Sequence, residues 1–134
     1  MFTKDKNQSP AGSYILTDEN SSFYKQLGCE EALAKISMLF HIKINSDQML
    51  NKYFATTEML TQITQQRSFV CHVINGPTSL KGEDPLLPFR PILSNRIGYI
   101  AMASHLKQSL HELEYDEMLI EEIMENLNYI QNND

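Results

Sequence analysis

Apolar side chains recur at three- and four-residue steps along most of the chain, the spacing of helices that bury one face. Leu33, Ile36, Phe40 and Ile44 carry it through a helix expected from about Cys29 to Ile44. Met38, Leu39 and Ile42 add apolar groups on other sides, which predicts burial around most of that helix. Ahead of it, Ser21 and Ser22 are candidate caps for a short helix, Phe23 to Leu27, ended by Gly28. A helical turn from Asp47 to Tyr53 leads to Phe54. Thr56 or Thr57 is placed to cap a third long helix reaching Ile74, where Asn75, Gly76 and Pro77 form a strong stop. Ser94 or Asn95 opens a fourth, to about Leu113, with Tyr99, Met102, Leu106 and Leu110 on its apolar line. Asp116 caps the last, which shows Leu119, Ile120, Ile123, Met124, Leu127 and Ile130. Only Glu114 and Tyr115 separate these two helices, so they are expected to pair antiparallel. No strand alternation and no internal repeat appears, and the fold class is all-α.

Two stretches break the pattern. Residues 1–20 are rich in Lys, Asn, Ser and Asp and are expected to form a loose tail ahead of one domain, 21–134. Asn75 to Pro91 holds four of the five prolines (Pro77, Pro85, Pro88 and Pro91), which forbid a regular long helix there.

Composition narrows the function classes. The 134 residues suit one domain, and 42% hydrophobic content is enough for a core. No apolar run approaches the ~18 residues of a membrane span, and Met1 to Ser13 lacks the apolar centre of a signal peptide. The expected compartment is the cytoplasm, with Cys29 and Cys71 as reduced thiols. Cys29 falls at a helix start, where a thiolate is favoured, but nothing else supports a redox role. The net charge of −6 argues against nucleic acid. The imbalance belongs to the last helix: Asp116, Glu117, Glu121, Glu122, Glu125 and Asp134 are acidic, and residues 116–134 contain no Lys or Arg. That face reads first as solvated, and second as a docking surface for a basic protein partner.

The third long helix carries an anomaly. With Met59 at 0°, its apolar side chains fall between about 280° (Phe69) and about 60° (Ile74), with Val70 near 20°. Gln62 and Gln66, near 300° and 340°, lie inside that stripe, one turn apart. A buried glutamine without partners costs roughly 1–3 kcal/mol. The pair therefore suggests a polar-lined pocket, or else a rotated helix with both half exposed.

Here the residues resemble the truncated haemoglobins. Phe23-Tyr24-Lys25-Gln26-Leu27-Gly28-Cys29-Glu30-Glu31-Ala32 is similar to that family's opening Tyr/Phe-x-x-(hydrophobic)-Gly-Gly-x-x-Ala segment. Phe40-His41 stands where the family has Phe-Tyr, and Phe54 matches a phenylalanine that stacks on haem. Glu58-Met59 to Asn75-Gly76-Pro77 matches the distal helix, on which Gln62 and Gln66 fall at the two ligand-facing positions. Tyr99 matches an aromatic of the next helix, and Ala103, His105 and Leu106 match an Ala-x-His-Leu segment. The resemblance covers about residues 22–130 and implies a 2-on-2 helical sandwich. It also implies a haem pocket around His41, Phe54, Gln62, Gln66, Val70, Phe89 and Tyr99.

Three departures weaken the implied chemistry. Phe89 stands where the family carries its iron-binding histidine, and no histidine lies between His72 and His105. The distal tyrosine position is His41. Two hinge glycine positions are Cys29 and Asn75. Phenylalanine has no lone pair for iron, so no cofactor is expected, with haem b the alternative and His41 its one plausible ligand. His41 otherwise reads as a core-edge histidine hydrogen-bonded to Gln66 or another neighbour. No carboxylate pair, Ser-His-Asp set or phosphate loop argues for an enzyme. The reading is a haem-free binding or regulatory domain; an unconventional haem globin for diatomic gases, or a pocket for another apolar ligand, stand behind it.

Overall fold

A computed structural model describes residues 22–77 and 84–133. All regular structure among them is helical. The helices are α1 (Phe23–Leu27), α2 (Cys29–Ser46), α3 (Gln48–Asn51), α4 (Met59–Val73), α5 (Arg90–Leu93), α6 (Arg96–Glu112) and α7 (Glu117–Asn132). Short 3₁₀ turns stand at Lys52–Phe54 and Leu87–Phe89. The expected tail, 1–20, lies outside the described residues, as does Ser21.

Four long helices make two packed pairs. α2 packs on α4 and on α6, α6 on α7, and α7 back on α4. The faces turned inward are the ones the spacing marked: Leu33, Ile36, Phe40 and Ile44 of α2, Met102, Leu106 and Leu110 of α6, and Ile120, Ile123 and Leu127 of α7 are all buried. α2 is less enclosed than expected. Met38 and Ile42 are each about half exposed, so its apolar excess is not all core.

Helix ends follow local chemistry, with two corrections. Ser22 precedes α1 but its side chain makes no cap bond; its hydroxyl donates across to Asn75 O. Neither Thr56 nor Thr57 caps α4; Glu58 does, without a side-chain bond. The proline stretch turns helical before it ends, because Pro88 and Pro91 sit in the first turns of the 3₁₀ segment and α5, where no N–H is needed. Asn95 and Asp116 cap α6 and α7 as expected, accepting from Gly98 N and Leu119 N.

Among the described residues, three that are not glycine hold left-handed backbone: Cys29 (φ 63°), Asn75 (φ 61°) and Glu114 (φ 62°). The first two are the hinge positions where the resemblance expects glycine. At Asn75 the reversal ends α4, with Gly76 N bonded to Cys71 O and Asn75 N to His72 O. Gly76 is required for space: a Cβ there would lie 2.7 Å from Cys71 Sγ and 2.9 Å from the Tyr24 ring.

Candidate functional site: a filled globin interior

Helices α2 and α4 and the two 3₁₀ turns, Lys52–Phe54 and Leu87–Phe89, bring four phenylalanines together. The rings of Phe69 and Phe89 stack with centroids 4.0 Å apart and planes 11° from parallel. Phe40 stacks against both, at 6.3 Å from Phe69 and 6.2 Å from Phe89. Phe54 meets Phe89 edge-on, at 5.6 Å and 61°. Phe40, Phe69 and Phe89 are fully buried. Each such ring contributes roughly 1.5–3 kcal/mol by leaving water, and each pairing adds about 0.5–1.5 kcal/mol.

The polar residues lie beside this stack on the same helices. His41 and Gln66 are both buried, and His41 Nδ1 sits 2.7 Å from Gln66 Oε1. The imidazole thus donates to the amide oxygen, the bland arrangement expected for His41. Gln66 Nε2 is left buried without a partner, as is Ser37 Oγ, one turn before His41. Exchanging the amide ends would move the deficit to the oxygen, so Gln66 keeps one orphaned atom either way.

The remaining expected site residues divide. Val70 is fully buried in the core. Gln62 does not join Gln66: it is half-buried, and its amide donates to Phe54 O (3.0 Å) and Thr57 O (2.8 Å), closing the turn before α4. The stripe was right for Gln66; for Gln62 the nearby loop carbonyls won. Met59, the start of that stripe and the first residue of α4, is 48% exposed. Tyr99 is half-buried and points its hydroxyl outward to Asn128 Oδ1 at 3.4 Å, away from any ring pair. Burial raises its phenol above the ordinary value. Phe40 and Phe69 complete the stack, though neither was among the expected site residues. Both carry core spacing, which hid them.

The other titratable groups serve the scaffold. His105 Nε2 and Asp47 Oδ2 are 2.8 Å apart, and Asp47 Oδ1 also caps α3 by accepting from Met49 N and Leu50 N. Burial pushes the Asp47 carboxyl up, but hydrogen bonds from His105 and those two amides outweigh it and hold the group below its ordinary value. Glu30 binds Arg67 and the Tyr24 hydroxyl, and the Arg67 bond first, then Tyr24, lowers its carboxyl. Cys71 is buried, its thiol raised by burial and donating to Pro77 O, which suits a resting thiol. Cys29 and Cys71 are unbridged. No group of three metal-ligating side chains occurs among the described residues, and none of their helices is long and apolar enough to cross a membrane.

The donor set can be tested against haem. A porphyrin between Phe69 and Phe89 needs about 7 Å, two contacts of about 3.5 Å, whereas those ring centres are 4.0 Å apart. Neither ring offers iron a lone pair. His41, the one buried histidine, holds Gln66 through Nδ1, which leaves Nε2 as its only nitrogen for a metal. The residues as arranged do not fit an iron porphyrin between these two rings.

The helical sandwich, with its α2/α4 and α6/α7 pairs, is a globin of the short kind. The sequence model of the bacterial-like globins matches residues 22–133, and the chain belongs to that family. A group 1 truncated hemoglobin of Tetrahymena pyriformis is 27% identical over 101 residues, covering 75% of this chain and 84% of the relative. A truncated hemoglobin of Chlamydomonas moewusii is 26% identical over 94 residues, 69% of this chain and 55% of that one. Among solved structures, the Tetrahymena pyriformis protein in its Fe(III) form superposes with a TM-score of 0.71 at 24% identity, covering 84% of this chain and 96% of its own. The 2/2 hemoglobin of Synechococcus sp. PCC 7002, cyanomet with covalently attached heme, gives 0.65 at 24%, covering 80% and 90%. These likenesses establish the truncated globin fold.

Proposed function

We propose that this chain is a truncated globin whose haem slot is closed by its own side chains, and that it works in the cytoplasm as a non-enzymatic binding or regulatory domain. The observation that carries this reading is the Phe69–Phe89 stack at 4.0 Å. Phe89 occupies, by the register of the resemblance, the place of the iron-binding histidine. Its ring supplies apolar surface there instead of a metal bond, and a globin without haem must fill that volume or hold a costly cavity. The pocket residues then have structural duties: Phe54 braces Phe89, Gln62 closes a turn, and Gln66 holds His41.

A second reading has its own support. The relatives' names speak of hemoglobins, one with covalently attached heme, and His41 is a buried imidazole. In that reading the Phe69 and Phe89 rings would have to part to admit haem, and His41 would hold the iron through Nε2 with Nδ1 kept on Gln66.

One visible absorbance scan, before and after adding haemin, separates the two. The expected result is a colourless protein with no Soret band of its own in either condition, and a band gained by Phe89→His. A stoichiometric Soret band in the unaltered chain, shifted by His41→Ala, would replace the first reading with the second.

A further inference from the structure

The outer face shared by α6 and α7 takes no part in the interior. An open depression of about 300 Å³ lies there, lined by Lys107 of α6 and Glu121, Met124, Glu125 and Asn128 of α7. Ile97, Ile100, Ser104 and Lys107 fall within about 80° of one another around α6, so one face runs on from the depression. Ile97 is 67% exposed and Ile100 54%. The Tyr99–Asn128 contact sets the antiparallel register, with the isoleucines toward Asn128 and Lys107 toward Glu121. The result is a shallow trough at the depression, floored in part by Met124, continued along α6 by an exposed apolar strip to Ile97, about 15 Å in all by the rise of ten residues.

Charge decides what can lie in it. Glu121, Glu122 and Glu125 enter no ion pair among the described residues. The one cation in the depression, Lys107, faces two glutamates. A second copy docked symmetrically through this face would bring two pairs of glutamates, Glu121 and Glu125, together with one lysine each, Lys107, to offset them. An anionic lipid surface or a nucleic acid would meet the same repulsion.

We infer that this trough is a docking site for a basic amphipathic helix of a partner protein. The partner's apolar positions, at three- and four-residue steps, cover Ile97, Ile100 and Met124, and its Lys or Arg side chains face Glu121 and Glu125. The inference deepens the reading of the chain as a binding domain and rests on it. Its test reads the surface, whereas the haemin scan reads the interior, so either can fail alone.

The probe is a fluorescein-labelled synthetic helix of Lys and Leu at amphipathic spacing, with a Glu/Leu helix of equal length as counter-probe. Anisotropy titration of the full chain should give saturable binding of the Lys/Leu helix and none of the Glu/Leu helix. Amide NMR shifts should gather around Ile100, Met124 and Glu125. The double variant Glu121→Lys/Glu125→Lys should weaken binding about tenfold or more, while Glu31→Lys/Glu58→Lys, with the same change in net charge, should not. Ile100→Ser, at an exposed position, should weaken it about threefold. Equal weakening by both charge pairs, shifts spread beyond the trough, or dimerisation of the chain alone through this face would overturn the proposal.

Discussion

Neighbouring stretches of one helix pair fill the interior by opposite means. α2 presents Phe40 and His41 in succession, and α4 presents Gln66 and, three residues later, Phe69. On the aromatic side every ring has ring partners, and the Phe69–Phe89 stack is as close as van der Waals contact allows. On the polar side one hydrogen bond joins His41 to Gln66, while Gln66 Nε2 and Ser37 Oγ stay unmatched. Apolar packing is non-directional, so any ring of the right size can close the space. Hydrogen bonds need partners at set angles, so a polar residue kept in a reshaped interior leaves atoms unpaired.

Deleting the central ring gives the largest expected effect. Phe89→Ala should lower unfolding free energy by about 3–5 kcal/mol, read by urea denaturation. A loss below about 1 kcal/mol would mean that the ring is not holding the aromatic side together. On the polar side, Gln66→Leu should cost about 1–3 kcal/mol, because it strands the His41 imidazole. Adding His41→Leu should recover most of that loss, since the pair would leave no unpaired group. A double-mutant cycle measures the coupling, and a double variant as unstable as the sum of the singles would show that the pair is not one unit.

Asp47 sharpens the contrast, as a polar cluster with most of its partners in place. Asp47→Ala should cost about 1 kcal/mol through the lost cap. Its pH dependence has a definite sign. The folded carboxyl lies below its ordinary value, so its contribution is complete above about pH 3.9 and fades as pH falls through the lower folded value. The stability gap between wild type and Asp47→Ala should therefore narrow in acid, and a gap unchanged at low pH would assign the effect to something other than this carboxylate. The smallest effect belongs to the hinge. Cys29→Gly should raise stability by about 1 kcal/mol by relieving left-handed backbone at φ 63°, seen as a small rise in thermal midpoint.

The fold was legible because it depends on period. Apolar spacing marked every long helix, and Asn95, Asp116 and the Asn75 stop fixed boundaries through local bonds that sequence displays. The exposed Met38 and Ile42 were not legible, because an apolar residue outside the core has the same spacing as one inside it. The site was half legible. Phe89 and His41 were noticed by what they replace, and Gln66 by polarity at an inward position. Gln62 misled because its choice between the interior and two loop carbonyls is settled only by where the preceding turn runs. Phe40 and Phe69 gave no signal beyond that of ordinary core, since stacking depends on the meeting of segments far apart in the chain.

Three nearly parallel benzene rings within 6.3 Å of one another also make the molecule its own magnetic reporter. The circulating π electrons of each ring shield nuclei above it, so ring protons of Phe69 and Phe89, stacked at 4.0 Å, should resonate upfield of free phenylalanine. A proton spectrum of the untreated protein, with no probe added, would then read out whether this interior is shut.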